Sequence, residues 1–335
     1  MSSSREPKSH TPPAARPDHL IRHSTFRQLQ IFESVFRLGS FTRAAEELFL
    51  TQPTVSMQIK KLIDAIGLPL FEHVGRRVEP TEAGKELYQA CRQVFEVLAN
   101  LEMKISDLQG LKRGRLRLGV ISTAKYLAPE MLGAFSQQFP GIDLALKVTN
   151  RERIIERMGA NEDDLYIMGQ APDGEIEVEA YRFAPNPLVI IAPRNHPLVG
   201  QKNISIQRLS EEPLIIREPG SGIRDVTLRF FNAMGCKPKI RMELGSNEAI
   251  KHGVVAGLGI SILSLHSLTL EGSDGPVAIL DVEGFPIMRS WYLVHPRGKE
   301  LSLAAQAFRE FVIECEQGIK ERMLKTWPTL EKHLD

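Results

Sequence analysis

From Thr25 onward, apolar residues recur at helical spacing: Phe26, Leu29, Phe32, Val35 and Phe36 share one face. Gly39 suits the left-handed close of a helix. Ser40 can cap a second, short helix that turns Ala44, Ala45 and Leu48 inward. After a break at Phe49-Leu50, Thr51 caps a third helix, and Pro53 is tolerated in its first turn because that N–H has no helical partner. Val55, Ile59, Leu62, Ile63 and Ile66 form its buried stripe, and Gly67 ends it. At about 100° per residue, the opposite side carries Pro53, Thr54, Met57, Lys60 and Lys61, flanked by Gln52 and Ser56. Leu70 to Pro80 reads as a short hairpin with Gly75 in its turn and Arg76-Arg77 at its tip.

Thr81 then caps a long helix, whose Glu82 and Glu86 favour the helix dipole. Leu87, Cys91, Val94, Leu98, Leu101, Ile105 and Leu108 are spaced by alternating fours and threes, a heptad seam for packing against a partner helix. Packing onto its own domain is the plainer alternative; the length of the seam favours self-association. Gly110 and Gly114 close this element.

Beyond Arg115 strands and helices alternate. Strands are expected at 116–120, 143–148, 165–168, 188–191, 214–217, 241–244 and 290–294, and helices near 127–139, 150–158, 223–234, 246–257 and 300–318. Such alternation implies mostly parallel sheets with covered faces. The expected architecture is a winged helix-turn-helix of helices (24–81), a dimerising linker helix (82–113) and an α/β effector domain of two lobes (114–320). Lobe I takes 114–186 and 287–320 and lobe II takes 187–286, with crossings near Pro185-Pro187 and Glu283-Pro286. Residues 1–23 read as a disordered arm and 321–335 as a tail.

Composition narrows the function. A net charge of +1 excludes a polycation, so nucleic-acid binding must come from a local surface. Residues 1–113 hold 16 Lys/Arg against 13 Asp/Glu, and the remainder 26 against 28, the right sign for a DNA-binding head on a neutral body. Cys91, Cys236 and Cys315 are scattered, which fits a reducing cytoplasm and argues against a zinc site. No apolar run is long enough for a membrane span, and the first residues lack a secretion signal.

No metalloprotease, P-loop, nucleophile-elbow or dinucleotide motif appears, and the nine histidines are scattered, so no enzyme, catalytic residue, metal or cofactor is expected. Two short helices, a tight turn and an outward polar face ending in lysines describe a recognition helix for the major groove. Gln52, Pro53, Ser56 and Met57 are the candidates for reading bases, with Thr51, Lys60, Arg76 and Arg77 on phosphates and Thr54 able to reach either. A solvated pair on a loop is the plainer reading of Arg76-Arg77; its place after a helix-turn-helix favours a wing.

Four helix starts beyond strand ends could bind an anion. They are Ser122-Thr123 with Lys125; Asn150-Arg151; the loop Arg217 to Arg224 with Gly220 and Ser221; and Ser246-Asn247. Ordinary capping explains any one of them; four with basic neighbours favour a cleft for an acidic metabolite.

These segments resemble a known family. Arg27-Gln28-Leu29, Gly39 to Leu48, Thr51 to Ile59, Gly67 to Phe71 and Thr81 to Gly84 are similar to the DNA-binding head of LysR-type transcriptional regulators. The C-terminal half resembles that family's effector domain of two periplasmic-binding-protein-like lobes, and the likeness spans about 24–320. Val120 to Tyr126, Thr149 to Glu152, Asn161 to Gly169, Asn186 to Leu188, Arg217 to Gly222, Leu244 to Lys251 and Asp281 to Pro286 look like the CbbR group, which controls Calvin-cycle operons. Gly169 joins the candidate effector residues on this ground. The resemblance implies a phosphorylated effector such as ribulose bisphosphate or phosphoglycolate, double-stranded promoter DNA as partner, and a homotetramer built as a dimer of dimers. RNA polymerase is a further candidate partner. The departures are the extended N-terminal arm and Thr54 where small apolar residues are common. The alternatives are a LysR-type regulator of another operon, an α/β solute-binding protein, and a nucleoid-packing protein, which the +1 charge disfavours.

Overall fold

The computed structural model describes residues 23–74, 77–108, 114–172, 174 and 176–333. The arm expected over 1–23 (save His23), the hairpin tip at Gly75-Arg76 and the stop at Gly110 lie outside the described residues. The chain divides into two compact units, one up to Leu98 and one from Ala99.

In the first unit, helices α1 (Phe26–Leu38), α2 (Phe41–Glu47) and α3 (Gln52–Ile66) precede a hairpin of β1 (Phe71–Val74) and β2 (Arg77–Pro80) and the start of α4 (Glu82–Leu108). Local chemistry sets each boundary. Thr25 and Gln28 exchange side-chain-to-backbone bonds of 3.2 and 2.9 Å, a capping box. Gly39 and Gly67 close α1 and α3 at φ 60° and 79°. Phe32, Val35, Ala44, Val55, Ile59 and Leu62 meet in one core with Leu70 and with Leu87 and Cys91 of α4. Phe36 stacks on Tyr88 with ring centroids 4.0 Å apart. Ile63 and Ile66 are only half-buried, and Phe26, the first residue of α1, is exposed.

The seam of α4 is therefore divided. Leu87 and Cys91 belong to the core of their own unit, a correction to the single partner-facing seam, because the helix begins as the lid of the three-helix cluster. Farther along, Val94, Val97, Leu101 and Ile105 are exposed, Val97 at 65% and Leu101 at 51%.

The second unit has two five-stranded sheets. Lobe I contains β3 (Gly114–Ile121), β4 (Ile142–Thr149), β5 (Leu165–Met168), β6 (Val178–Pro185) and β12 (Ser290–Pro296), in the order β4-β3-β5-β12-β6. Its helices are α5 (Ala128–Gln138), α6 (Arg151–Gly159) and α10 (Leu303–Glu314). Lobe II contains β7 (Leu188–Pro193), β8 (Pro213–Arg217), β9 (Lys239–Leu244), β10 (Ile260–Ser264) and β11 (Val277–Leu280), ordered β11-β7-β10-β8-β9, with α7 (Ile206–Ser210), α8 (Gly222–Ala233) and α9 (Asn247–Val255).

Neither sheet is mostly parallel. β3 runs parallel to β4 and β5, but β12 is antiparallel to both β5 and β6. β8 runs parallel to β9 and β10, whereas β7 is antiparallel to β10 and β11. β7 and β12 each start at a crossing between lobes, and each runs antiparallel to both of its neighbours.

The two crossing segments pair with each other: Asn186 N–H donates to the Arg289 carbonyl at 2.7 Å, and Leu188 and Ile287 exchange bonds of 2.9 and 3.0 Å. Helix α11 (Glu316–Thr326) corrects the expected helix and tail. The helix expected near 300–318 is two helices, and the tail expected from 321 continues the second of them. Ile319 joins the lobe I core while Met323 and Trp327 join the lobe II core, so burying these side chains holds the segment. No helix among the described residues is long and apolar enough to cross a membrane.

Candidate functional site

On the first unit, the helical phase of α3 buries Val55, Ile59 and Leu62 and leaves Thr51, Gln52, Pro53, Met57, Lys60 and Lys61 exposed, Met57 at 48%. Thr54 and Ser56 are half-exposed between them. Thr51 and Thr54 share a hydroxyl–hydroxyl bond of 2.8 Å, and Gln52 Nε2 donates to Ser56 Oγ at 3.0 Å. The polar ends at the start of α3 are thus ordered along one accessible strip. β1 and β2 pair antiparallel with Val74 opposite Arg77. The side chains of Arg76 and Arg77 lie outside the described residues.

In the second unit a cleft lies between the lobes. Lobe I contributes Ile121, Ser122, Thr123, Asn150, Arg151, Gly169 and Gln170; lobe II contributes Arg217, Ser221, Gly222 and Ile223; the crossings contribute Asn186, Leu188 and Arg289. Of the eleven effector candidates, the structure brings six together here: Ser122, Thr123, Asn150, Arg151, Gly169 and Ser221. Ser122 is committed, donating to the Thr149 carbonyl at 3.0 Å, and Asn150 caps α6 by accepting from Arg153 N–H at 3.0 Å. The hydroxyls of Thr123 and Ser221 have no hydrogen-bond partner among the described residues, and Ser221, at the start of α8, makes no side-chain cap. A Cβ on Gly169 would come within 3.0 Å of Asn186 Nδ2, which is why the smallest residue stands there.

Five candidates are not in the lining. Lys125 sits over the Tyr126 ring, 3.8 Å from Glu248. Gly220, at φ 79°, gives its carbonyl to Glu152 N–H at 3.3 Å across the lobes. Arg224 bonds the Arg217 carbonyl at 2.8 Å and pairs with Glu243 at 2.7 Å. Ser246 caps α9, and Asn247 is buried with its Oδ1 on Arg217 Nη1 at 2.6 Å. The Ser122-Thr123 start is a five-residue 3-10 helix (Ser122–Tyr126) rather than an α-helix.

The charge of the cleft comes from arginines. No Asp or Glu is among its lining residues. Arg217 is nearly fully buried and its charge is answered by Glu218, at 2.6 and 2.8 Å. Arg151 donates to the carbonyls of Gln170 and Ala171 at 2.7 and 3.2 Å. Arg289 donates to Gln170 Oε1 at 2.8 Å and has no ion pair among the described residues. Burial, reinforced by Arg151 and Arg229, presses its guanidinium from 12.5 down to about 10. A half-buried cation with no ion pair among the described residues, beside a second arginine and two hydroxyls without partners, can pair with an anion. Sequence reasoning gave Arg289, Gln170 and Asn186 no role and Arg217 only a place in a loop. For Asn186 and Arg289 the one available signal was position, since a crossing between lobes must border the cleft.

The profile of the bacterial regulatory helix-turn-helix protein, lysR family, matches residues 26–85, and that of the LysR substrate binding domain matches residues 109–315. The chain belongs to the LysR family. This LysR-family chain is a transcriptional regulator, not an enzyme, and DNA is its partner through the helix-turn-helix. The HTH-type transcriptional activator CmpR of Synechocystis sp. strain PCC 6803 is 49% identical over 299 residues, 89% of this chain and 98% of that protein. The RuBisCO operon transcriptional regulator of Allochromatium vinosum is 49% identical over 291 residues, 87% of this chain and 96% of that one. Among solved structures, the Synechocystis PCC6803 CcmR regulatory domain in complex with 2-PG is 47% identical with a TM-score of 0.60, covering 62% of this chain and 100% of that chain.

Proposed function

We propose that this LysR-family regulator controls carbon-fixation operons and that a small phosphorylated acid, with 2-phosphoglycolate the leading candidate, is its effector in the interlobe cleft. The observation that carries the effector reading is Arg289, a half-buried guanidinium with no ion pair among the described residues, in a cleft whose lining holds no Asp or Glu. The relatives named for RuBisCO operon regulation and the regulatory domain bound to 2-PG support the same reading. The exposed strip of α3 lies in the major groove, with Gln52, Pro53, Ser56 and Met57 at base edges and Thr51, Lys60 and the wing arginines on phosphates. The exposed apolar residues of α4 from Val94 onward join two subunits, and two such dimers make the promoter-bound tetramer. The effector acts by binding one arrangement of the lobes more tightly than another, and so shifts how the tetramer bends DNA and meets RNA polymerase.

The test is fluorescence anisotropy of the full-length chain on DNA upstream of a carbon-fixation operon. Titrations use 2-phosphoglycolate, ribulose bisphosphate, glycolate and inorganic phosphate. Phosphorylated acids should change affinity or footprint and glycolate should not. Equal responses to glycolate and 2-phosphoglycolate would remove the phosphate from the argument; the absence of any sequence preference would remove the operon reading.

A further inference from the structure

Two elements that begin at the cleft meet again outside it. On lobe I, Thr123 faces the cleft, and the same 3-10 helix goes on to carry Lys125 and Tyr126. On lobe II, Arg217 lines the cleft and donates Nη1 to Asn247 Oδ1 at 2.6 Å. Asn247 opens α9, and the next residue, Glu248, accepts the Tyr126 hydroxyl at 2.5 Å. The joint is reinforced. Lys251 Nζ lies 3.0 Å from the other Glu248 oxygen, and Lys125 Nζ lies 3.8 Å from the oxygen that Tyr126 bonds. Both ammonium groups sit over the Tyr126 ring, at 5.0 and 5.3 Å. Lys251 is itself held by the Ser267 carbonyl at 2.9 Å and by Glu271. Burial, with the bond to Glu248, pushes the Tyr126 phenol up, so it stays protonated and donates. Burial alone would raise the Glu248 carboxyl, but the bonds from Tyr126 and Lys251 bring it below its ordinary value, so it stays ionised and accepts.

We propose that Tyr126 and Glu248 form an interlobe latch that sets how tightly the cleft holds its anion, although neither residue lines it. The inference rests on the anion-site reading. The Tyr126–Glu248 bond exists only while the lobes are closed. Losing it lowers the closed fraction, and apparent affinity falls in proportion to that fraction. Thr123 and Arg217 are the ends through which an anion in the cleft favours the closed latch. The two residues are positioning residues.

The experiment uses the full-length chain with Tyr126→Phe, Glu248→Ala, Glu248→Gln and the Tyr126→Phe/Glu248→Ala double variant. Calorimetric titration with 2-phosphoglycolate measures affinity, and hydrogen exchange without ligand measures opening at the crossing segments 184–188 and 286–290. A lost hydrogen bond to a carboxylate predicts that Tyr126→Phe and Glu248→Ala each weaken binding about five- to tenfold. Glu248→Gln, whose amide oxygen still accepts the phenol, keeps more affinity than Glu248→Ala. The double variant is no weaker than the worse single one, because both remove the same contact, and the crossing segments exchange faster in Tyr126→Phe. Binding by Tyr126→Phe within about twofold of the parent chain, or additive losses in the double variant, overturns the latch. If the parent chain does not bind 2-phosphoglycolate, the effector reading falls, and exchange alone decides: faster exchange in Tyr126→Phe supports the latch and unchanged exchange overturns it.

Discussion

Replacing Arg289 by methionine removes a guanidinium but keeps a flexible side chain of comparable reach, and its consequences for folding and for binding should have opposite signs. A fall from 12.5 to about 10, at about 1.4 kcal/mol per tenfold change in the equilibrium constant, sets roughly 3 kcal/mol against the charged form in the folded chain. At neutral pH the folded and unfolded chains both carry this proton, so the penalty is present in full and does not vary with pH. It is relieved only as pH rises through about 10 toward 12.5, far outside working conditions. Substitution is therefore the informative perturbation. Losing the bond to half-buried Gln170 offsets about 1 kcal/mol, leaving a net stabilisation of roughly 1–2 kcal/mol. For a unit of this size that corresponds to a rise of roughly 3–6 °C in Tm without ligand. The same change deletes a charge-assisted bond to the effector and should weaken it about 10- to 100-fold. Differential scanning calorimetry with and without 2-phosphoglycolate reads both effects. In the parent chain, ligand at 100 times its dissociation constant adds about 2.7 kcal/mol; the variant at the same concentration should show only about 0.4–1.4 kcal/mol of it. A variant that melts below the parent chain yet keeps the full ligand shift would refute this account of the cleft.

Three further outcomes are expected. Lys60→Ala should weaken binding to all DNA sequences alike and lower the log–log salt slope by about 1, whereas Gln52→Ala should relax base preference with the slope unchanged; anisotropy titrations over a salt series separate the two. Gly84→Ala should destabilise the first unit by about 1–3 kcal/mol and spare the second, because its Cβ would overlap the Leu70 carbonyl oxygen; calorimetry should show one transition displaced and the other fixed. Trp327→Ala should cost the second unit about 3–5 kcal/mol in a denaturant titration, since the indole is buried in the lobe II core; a cost near zero would return the segment to the status of a tail.

The first unit was legible in the sequence because its signals are local. Gly39, Ser40, Thr51 and Gly67 set their helix ends by backbone chemistry that acts within a few residues, and all four stand at the ends they mark. The same logic found Asn150 and Ser246, but capping consumes the groups that capping recognises, so both hydroxyl or amide oxygens are spent on their own helices. Ser221, which makes no cap, is the one left available. Arg289 was hard to find because nothing in its neighbourhood distinguishes it; its bonding partner Gln170 is 119 residues away and the like charge of Arg151 farther still. β6, β10 and β11 escaped for a related reason, since each is a strand by pairing with segments distant in the chain. The segment Val178–Pro185, whose apolar run is broken by Glu179 and Arg182, becomes a strand by pairing with β12, more than a hundred residues later. The tail failed because Ile319, Met323 and Trp327 are too sparse to read as a buried face until two separate cores are seen to share them.

The position of β12 has a consequence for synthesis. It lies between β5 and β6, so the lobe I sheet cannot close until residues 290–296 have left the ribosome. Every strand of lobe II emerges earlier, and that sheet can assemble while β5 still presents an open edge and β6 waits without a neighbour. The nascent chain thus can complete the sheet of its inserted lobe before the sheet of the lobe that frames it. A cleft with both walls in place can exist only once residues 289–296 have emerged.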